Sequence, residues 1–419
     1  MKNTLKSIIS PILSLIILLL GNGLFMTYVT VRLKIDDYSN EAIGFVSASF
    51  YAGVLVGSFY ANRLIERIGH IRAFAGFASL LSVVSLLQGF YISIWSWSIL
   101  RALNGAMMAG LFITIESWLL VKSTPKIRGK VLAIYMTALY ASQSLGQFLL
   151  NISDPLSWIP YILIAILTSL SVIPVSLTKA EAPITSEPSY LRFTKLLNIS
   201  PLGVIGCLLS GVMLGAVYGL APLYAQEIGL SLKYISLFMS IIIFGGLVLQ
   251  WPIGHISDYI DRRKILLIVG LLTTATSILI AIFDAYNIYL LFGLVFLFGG
   301  FSFTLYPLSI SHTCDHLEPK DFVAATGGLM IAYGLGAIIG PLIAPFAFKL
   351  LGPKGLFIYF AVISGILALY AFIRLFRLPP IPPEEKLPYA NLPRTTPSVG
   401  ELDPRSENPD NESSNVKNK

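Results

Sequence analysis

The sequence predicts an all-α membrane protein of twelve transmembrane helices, arranged as two parallel halves of six. Three observations predict it. Hydrophobic residues fill 55% of the 419 positions and charged residues only 12%, about half the charged share of a soluble domain. Twelve apolar runs approach or exceed the roughly 20 residues that a helix needs to cross a bilayer. Glycines and loop charges recur at an offset of 192 residues. For the bulk of the chain, this composition excludes disorder, a secreted disulfide scaffold and a water-soluble enzyme. Cys207 and Cys314 lie far apart and imply no disulfide framework. The net charge of +7 reads as basic cytoplasmic loops, not as a nucleic-acid surface.

In chain order the runs are Ile8–Thr30, Ala42–Ile65, Ala73–Tyr91, Trp97–Leu120, Lys130–Leu150, Trp158–Leu177, Leu202–Tyr224, Ile235–Gly254, Ile265–Phe283, Ile288–Ser311, Phe322–Leu350 and Leu356–Phe376. The first lacks a small-residue cleavage site and is read as a span, not a signal peptide. Residues 1–178 form the first half. Residues 179–201 form a polar linker, residues 202–377 the second half, and residues 378–419 a tail. The tail is rich in Pro, Glu, Asn and Ser and is predicted to be disordered. With the N-terminus inside, eighteen Lys and Arg fall on the cytoplasmic side of the bundle and five outside. Both termini and the linker are therefore expected in the cytoplasm.

The repeat gives the halves their relation. At an offset of 192, Gly23 falls on Gly215, Gly53 on Gly245, Glu66 on Asp258 and Arg72 on Lys264; at 194, Lys126 falls on Lys320 and Gly146 on Gly340. Halves with an even number of spans have the same polarity, related by an axis along the membrane normal. A substrate site is then expected between them near the midplane.

Two loops carry the same pattern. One reads Asn62-Arg63-Leu64-Ile65-Glu66-Arg67-Ile68-Gly69-His70-Ile71-Arg72. The other reads Gly254-His255-Ile256-Ser257-Asp258-Tyr259-Ile260-Asp261-Arg262-Arg263-Lys264. Both resemble the loop signature of the major facilitator superfamily. Asn62, Glu66 and Asp261 depart from its Gly, Asp and Gly. Span four, with Arg101, Gly105 and Gly110, is also similar to that superfamily. Glu116-Ser117-Trp118, Arg128-Gly129-Lys130, Leu145-Gly146-Gln147, the run Ser210–Tyr224, Gln250–Gly254 and Phe303–Pro307 resemble the YcaD-type bacterial members. The resemblance covers all twelve spans and excludes the tail. It implies the major facilitator fold and a secondary transporter in the bacterial cytoplasmic membrane, and it names no cargo.

Arg101 and Glu116 are the ionisable side chains well inside a span, and such residues face the bundle interior. Fifteen residues separate them by about 22 Å along the helix, with azimuths about 60° apart, so both can face one cavity. The resemblance implies that spans one, four, seven and ten line that cavity, with Asn22, Tyr28, Arg101, Asn104, Tyr218 and Tyr306 as candidates. Span five adds Tyr140, Gln143 and Gln147 at helical spacing. Glu66, Arg67, Arg72, Arg128, Asp258, Arg262 and Arg263 are the candidate gate residues. Glu116 is read either as their partner or as a proton-carrying carboxylate. Gly146-Gln147 stands where drug antiporters of the superfamily carry Gly-Pro. His312 and His316 share a helix face but sit at a fraying end, so no metal is expected. The sequence carries no P-loop, nucleophile elbow or H-E-x-x-H pattern. The expectation is a monomeric transporter of a small molecule, not an enzyme. Its partners are membrane lipid and, for coupling, protons, with no cofactor and no nucleic acid. A transporter-fold receptor without flux is the alternative.

Overall fold

The computed structural model describes residues 2–123, 127–178, 191, 193–283, 287–377 and 382–406. Twelve long helices run in sequence: α1 Lys2–Ile35, α2 Asn40–Ile68, α3 His70–Phe90, α4 Ile94–Val121, α5 Arg128–Gly146, α6 Ile159–Ser176, α7 Pro201–Glu227, α8 Leu232–Tyr259, α9 Arg262–Phe283, α10 Ile288–Cys314, α11 Phe322–Leu351 and α12 Gly355–Leu375. Eleven are long and apolar enough to cross a membrane. The exception is α5, where Tyr135, Thr137, Tyr140, Ser142, Gln143 and Ser144 dilute the apolar run. It continues as a 3-10 turn over Gln147–Asn151.

Local chemistry sets several helix ends. The Ser39 hydroxyl accepts the Ala42 N–H at the start of α2, Ser93 accepts from Ser96 at α4, and Asn287 accepts from Tyr289 at α10. Pro201 opens α7, where its missing N–H has no helical partner to lose. Gly69 (φ 83°) separates α2 from α3, a left-handed conformation that other residues resist.

Glycine contacts account for the two-half architecture. A Cβ on Gly53 of α2 would fall 1.9 Å from the Ala102 carbonyl oxygen of α4; on Gly245 of α8 it would fall 2.1 Å from the Phe296 oxygen of α10. Gly23 of α1 touches the Gln143 carbonyl of α5, and Gly215 of α7 touches the Ala337 carbonyl of α11. Gly146 and Gly340 return these contacts against Leu20 and Val212. Every glycine pair of the sequence repeat thus meets equivalent backbone in its own half. Lipid tails supply little hydrophobic drive between helices, so close backbone approach at small residues carries the packing. The halves meet where α2 packs on α11, α5 on α8, and α1 and α2 on α7.

Two polar stretches differ from expectation. Most of the linker, residues 179–190, lies outside the described residues. Its last part forms a short helix, Phe193–Ile199, with Leu196 buried. Residues 382–406 of the tail do not match the predicted disorder: they run into the bundle between the two halves. Ala390, Leu392, Val399 and Leu402 are buried there, so the segment owns apolar anchors that its proline-rich composition hides.

We predict that Gly53→Ala and Gly245→Ala each force a helix pair apart, at a cost of about 1–3 kcal/mol typical of overpacking. Thermal unfolding in detergent should show both with lowered Tm. Gly76→Ala, with nothing within 4 Å of the added carbon, should match wild type. A normal Tm for Gly53→Ala would contradict the packing account.

Candidate functional site

A cavity of about 110 Å³ lies between the halves. The first half contributes Asn22, Met26, Phe50, Tyr51, Tyr140 and Gln143; the second contributes Tyr218, Met330 and Tyr333. Pro393, Arg394 and Thr395 of the tail complete the wall. Side chains link the halves across it. Tyr218 Oη donates to Gln143 Oε1 (3.2 Å), and Gln250 Nε2 donates to Tyr140 Oη (3.2 Å) and to the Phe303 carbonyl (2.8 Å).

One end of this cavity is sealed. Lys34 Nζ of α1 pairs with Glu227 of α7 at 3.0 Å, Asn40 Nδ2 donates to the same carboxylate at 3.1 Å, and the Thr30 hydroxyl donates to the Gly219 carbonyl at 2.7 Å. Gly44 of α2 sits against the Pro341 carbonyl of α11, close enough that an added Cβ would lie 2.1 Å from its oxygen.

The other end carries the basic loops. Arg262 is its hub, with a side chain only 1% exposed. It pairs with Asp258 at 3.0 Å and with Asp315, and donates to the Ser311 carbonyl at 3.0 Å and to the Leu387 carbonyl of the tail. Arg263 pairs with Asp261 at 2.6 Å and reaches the Arg374 carbonyl. Burial raises the Asp261 carboxyl, but Arg263 outweighs it and holds the group below the ordinary carboxylate range. At Asp315 burial wins over Arg262, so that carboxyl titrates above the ordinary range. Glu66, Arg67 and Arg72 are exposed at the α2–α3 turn. Arg128 is buried at the start of α5, in the field of Glu401 and Asp403 of the tail.

The sequence-predicted residues separate into groups. Asn22, Tyr140, Gln143 and Tyr218 line the cavity. Tyr28 lies elsewhere, donating to the Pro155 carbonyl (2.9 Å) and edge-on to Tyr161. Gln147 joins α5 to α1: it accepts from Thr27 and donates to the Gly23 carbonyl at 2.9 Å. Tyr306 sits behind the wall, donating to Met330 Sδ at 3.2 Å and edge-on to Tyr333.

Arg101 also stands behind the wall, 2% exposed, and not open to the lumen. Its guanidinium is stacked 4.5 Å from Phe50 and 5.1 Å from Phe25, and Nη2 donates to Met26 Sδ at 2.9 Å. Among the described residues, Arg101 Nε and Nη1 and both amide atoms of Asn104 are buried without a hydrogen-bond partner. Phe50 and the flexible Met26 therefore stand between the Arg101 guanidinium and the cavity. Glu116 is 1% exposed and accepts from the hydroxyls of Tyr135 (2.8 Å), Thr395 and Thr396. No loop motif signals this set. Gln250 and Phe303, which contact the wall residues Tyr140 and Arg394, and Tyr333, which lines the cavity, are missing from the candidates. The first two lie in runs that carry the family resemblance, which was their available signal.

A family model described as Major Facilitator Superfamily matches residues 7–258 and 203–404. An MFS-type transporter named YcaD from Escherichia fergusonii is 29% identical over 359 residues, covering 84% of this chain and 91% of the relative. Its namesake in Escherichia coli O6:K15:H31 is 30% identical over 356 residues, with the same shares covered. A crystal structure of the nucleoside transporter NupG is similar with a TM-score of 0.73 at 15% identity, covering 90% of this chain and 100% of that one. A bacterial homolog of the lysosomal transporter Spinster, inward-facing and occupied, gives 0.68 at 12% identity, covering 91% and 98%. At these identities the two structures speak to the fold.

Removing one partner of a buried ion pair is strongly destabilising, by about 3–5 kcal/mol. The Asp315 side chain is 2% exposed and that of Asp258 is 25% exposed, and both pair with Arg262. Asp315→Asn should therefore lower Tm at least twice as far as Asp258→Asn. Equal shifts would contradict the assignment of Asp315 as the principal counter-ion.

Proposed function

The chain belongs to the major facilitator superfamily, and from that premise we propose a secondary active transporter of a small organic solute, working by alternating access. It is a multi-pass membrane protein of a transporter family. The cavity between the halves supports this reading: it has polar walls from both halves, direct helix contacts at one end, and charge pairs at the other. Rocking of the halves about it would break one set of contacts while the other forms. The positive-inside count puts the basic end, the linker and both termini in the cytoplasm of a bacterial cell. A single chain supplies both walls, so the monomer suffices.

Arg101 and Asn104 anchor an electron-rich group of the cargo in this proposal. A guanidinium inside a span costs about 2.5–3.5 kcal/mol on insertion scales. Two of its nitrogens have no partner among the described residues. A Met26 rotation opens them to the lumen. Arg keeps its charge at any working pH, so it cannot carry a coupling proton. Glu116, buried near the basic end, is the proposed proton carrier.

Solute counterflow in proteoliposomes tests transport directly. Flux is expected, and binding without flux would favour a receptor on a transporter fold. A thermal-shift screen identifies the ligand, since saturation at 100 times Kd adds about 2.7 kcal/mol. With it in hand, Arg101→Lys should weaken binding at least tenfold by losing bidentate geometry, and Arg101→Ala should abolish it. Wild-type affinity in both would make Arg101 structural.

A further inference from the structure

The tail enters the basic end as an irregular segment with 3-10 turns at Pro383–Glu385 and Pro397–Leu402, and with prolines also at 382, 388, 393 and 404. Backbone and side-chain bonds fix it to both halves. On the second half, Tyr389 N–H donates to Asp258 (2.7 Å), Asn391 Nδ2 donates to Gln250 Oε1 (2.9 Å), and Arg405 Nη1 donates to the Ser311 hydroxyl (3.3 Å). Asp403 pairs with Arg405 at 2.7 Å, and both side chains are almost fully buried. The Tyr389 ring lies against Gly254. On the first half, Thr395 and Thr396 donate to Glu116. The 3-10 turn Pro397–Leu402 packs on both α4 and α11. The segment is therefore a wedge between halves that must approach each other at this end if the site is to face the other way.

Arg394 is the deepest charge of that wedge. Its guanidinium lies 4.5 Å from the Phe303 ring centre, 5.8 Å from Tyr140 and 5.9 Å from Tyr333, and Nη2 donates to Tyr140 Oη at 3.0 Å. Among the described residues no ion pair holds it; aromatic faces do, and such faces attract a desolvated cation. Such a cage recognises charge and shape in any solute that carries them. Arg101 lies on α4 about 22 Å further toward the sealed end than Glu116.

We propose that residues 387–405 are a built-in plug that occupies the transport cavity as a self-ligand, and that the Phe303–Tyr140–Tyr333 cage takes the cationic head of the cargo, of guanidinium or alkylammonium type. This rests on the cavity reading above and adds the chemical class of one end of the cargo and a means of control. The tail competes with cargo at the cage and blocks closure of the basic end. Tethering sets its effective concentration near the millimolar range, and its prolines reduce the ordering entropy of docking. Free cation therefore binds the intact protein far more weakly than a tail-released one.

The test uses full-length protein in nanodiscs, with Cys207 and Cys314 replaced by serine and spin labels at Arg67→Cys and Pro404→Cys. Wild type should give one narrow distance, and Arg394→Ala/Thr395→Val/Thr396→Val a broad, longer distribution. A broad wild-type distribution, or a triple variant as narrow as wild type, overturns the plug. Calorimetry with agmatine as the probe then reads the cage. The triple variant should bind it at least tenfold tighter than wild type, and Phe303→Ala in the triple variant should lose that gain. Equal affinities, or no binding to the triple variant, overturn the cation assignment. Counterflow by the triple variant, whose basic end is free to close, reports separately on transport, so the two readings fail independently.

Discussion

The structure depends on close approach between helix backbones at glycine. In a bilayer an apolar side chain gains little by touching another helix in place of a lipid tail, so helices associate where small residues let backbones meet. The α2–α4 and α8–α10 pairs meet in this way, as do α1–α5 and α7–α11. Each pair in one half has its counterpart in the other. Two six-helix halves follow, and the space between them is where polar side chains can gather away from lipid. The same packing rule acts between the halves at Gly44 and Pro341, and there it seals one end of the cavity.

Charge is placed against this apolar frame with uneven compensation. Arg262 is surrounded by carboxylates and carbonyls and serves as a hub for α8, α9, α10 and the tail. Arg101 has aromatic faces and a thioether around it, with donors to spare. Arg394 has an aromatic cage and one hydroxyl. The hub is held by two carboxylates and by carbonyls, with only its Nε left without a hydrogen-bond partner among the described residues. The other two are held by groups that a ligand can share or replace, which is what a transport site requires: affinity that can be given up in the next step.

Much of this was legible in the sequence because its physics is local. Apolar runs gave all twelve helices, and the weakest run fell on α5, whose polar face serves the cavity. The repeat was legible because glycine at a backbone contact cannot be replaced. Tyr140 and Gln143 were legible from helical spacing, and Asn22 and Tyr218 from the family resemblance. Gln147 shares that spacing and Tyr28 that resemblance, but both satisfy neighbouring backbone, a distinction only coordinates make. Arg101 was legible as an intramembrane charge, while its cover by Met26 and Phe50 was not, since contacts between helices leave no trace in spacing. Prolines and polar residues imply disorder in the tail, whereas Leu392 is buried and Tyr389 and Arg394 find partners more than 80 residues away.

The account stands on the two halves moving as bodies about the cavity, opening one end as the other closes. Paired spin-label distances test this most directly, using the repeat-related positions Glu41 with Lys233 at the sealed end and Arg67 with Tyr259 at the basic end. In protein whose tail has been released, ligand and its absence should shift the two distributions in opposite senses, one pair separating as the other closes. Distances that stay fixed at both ends, or that lengthen together, would contradict alternating access in this protein.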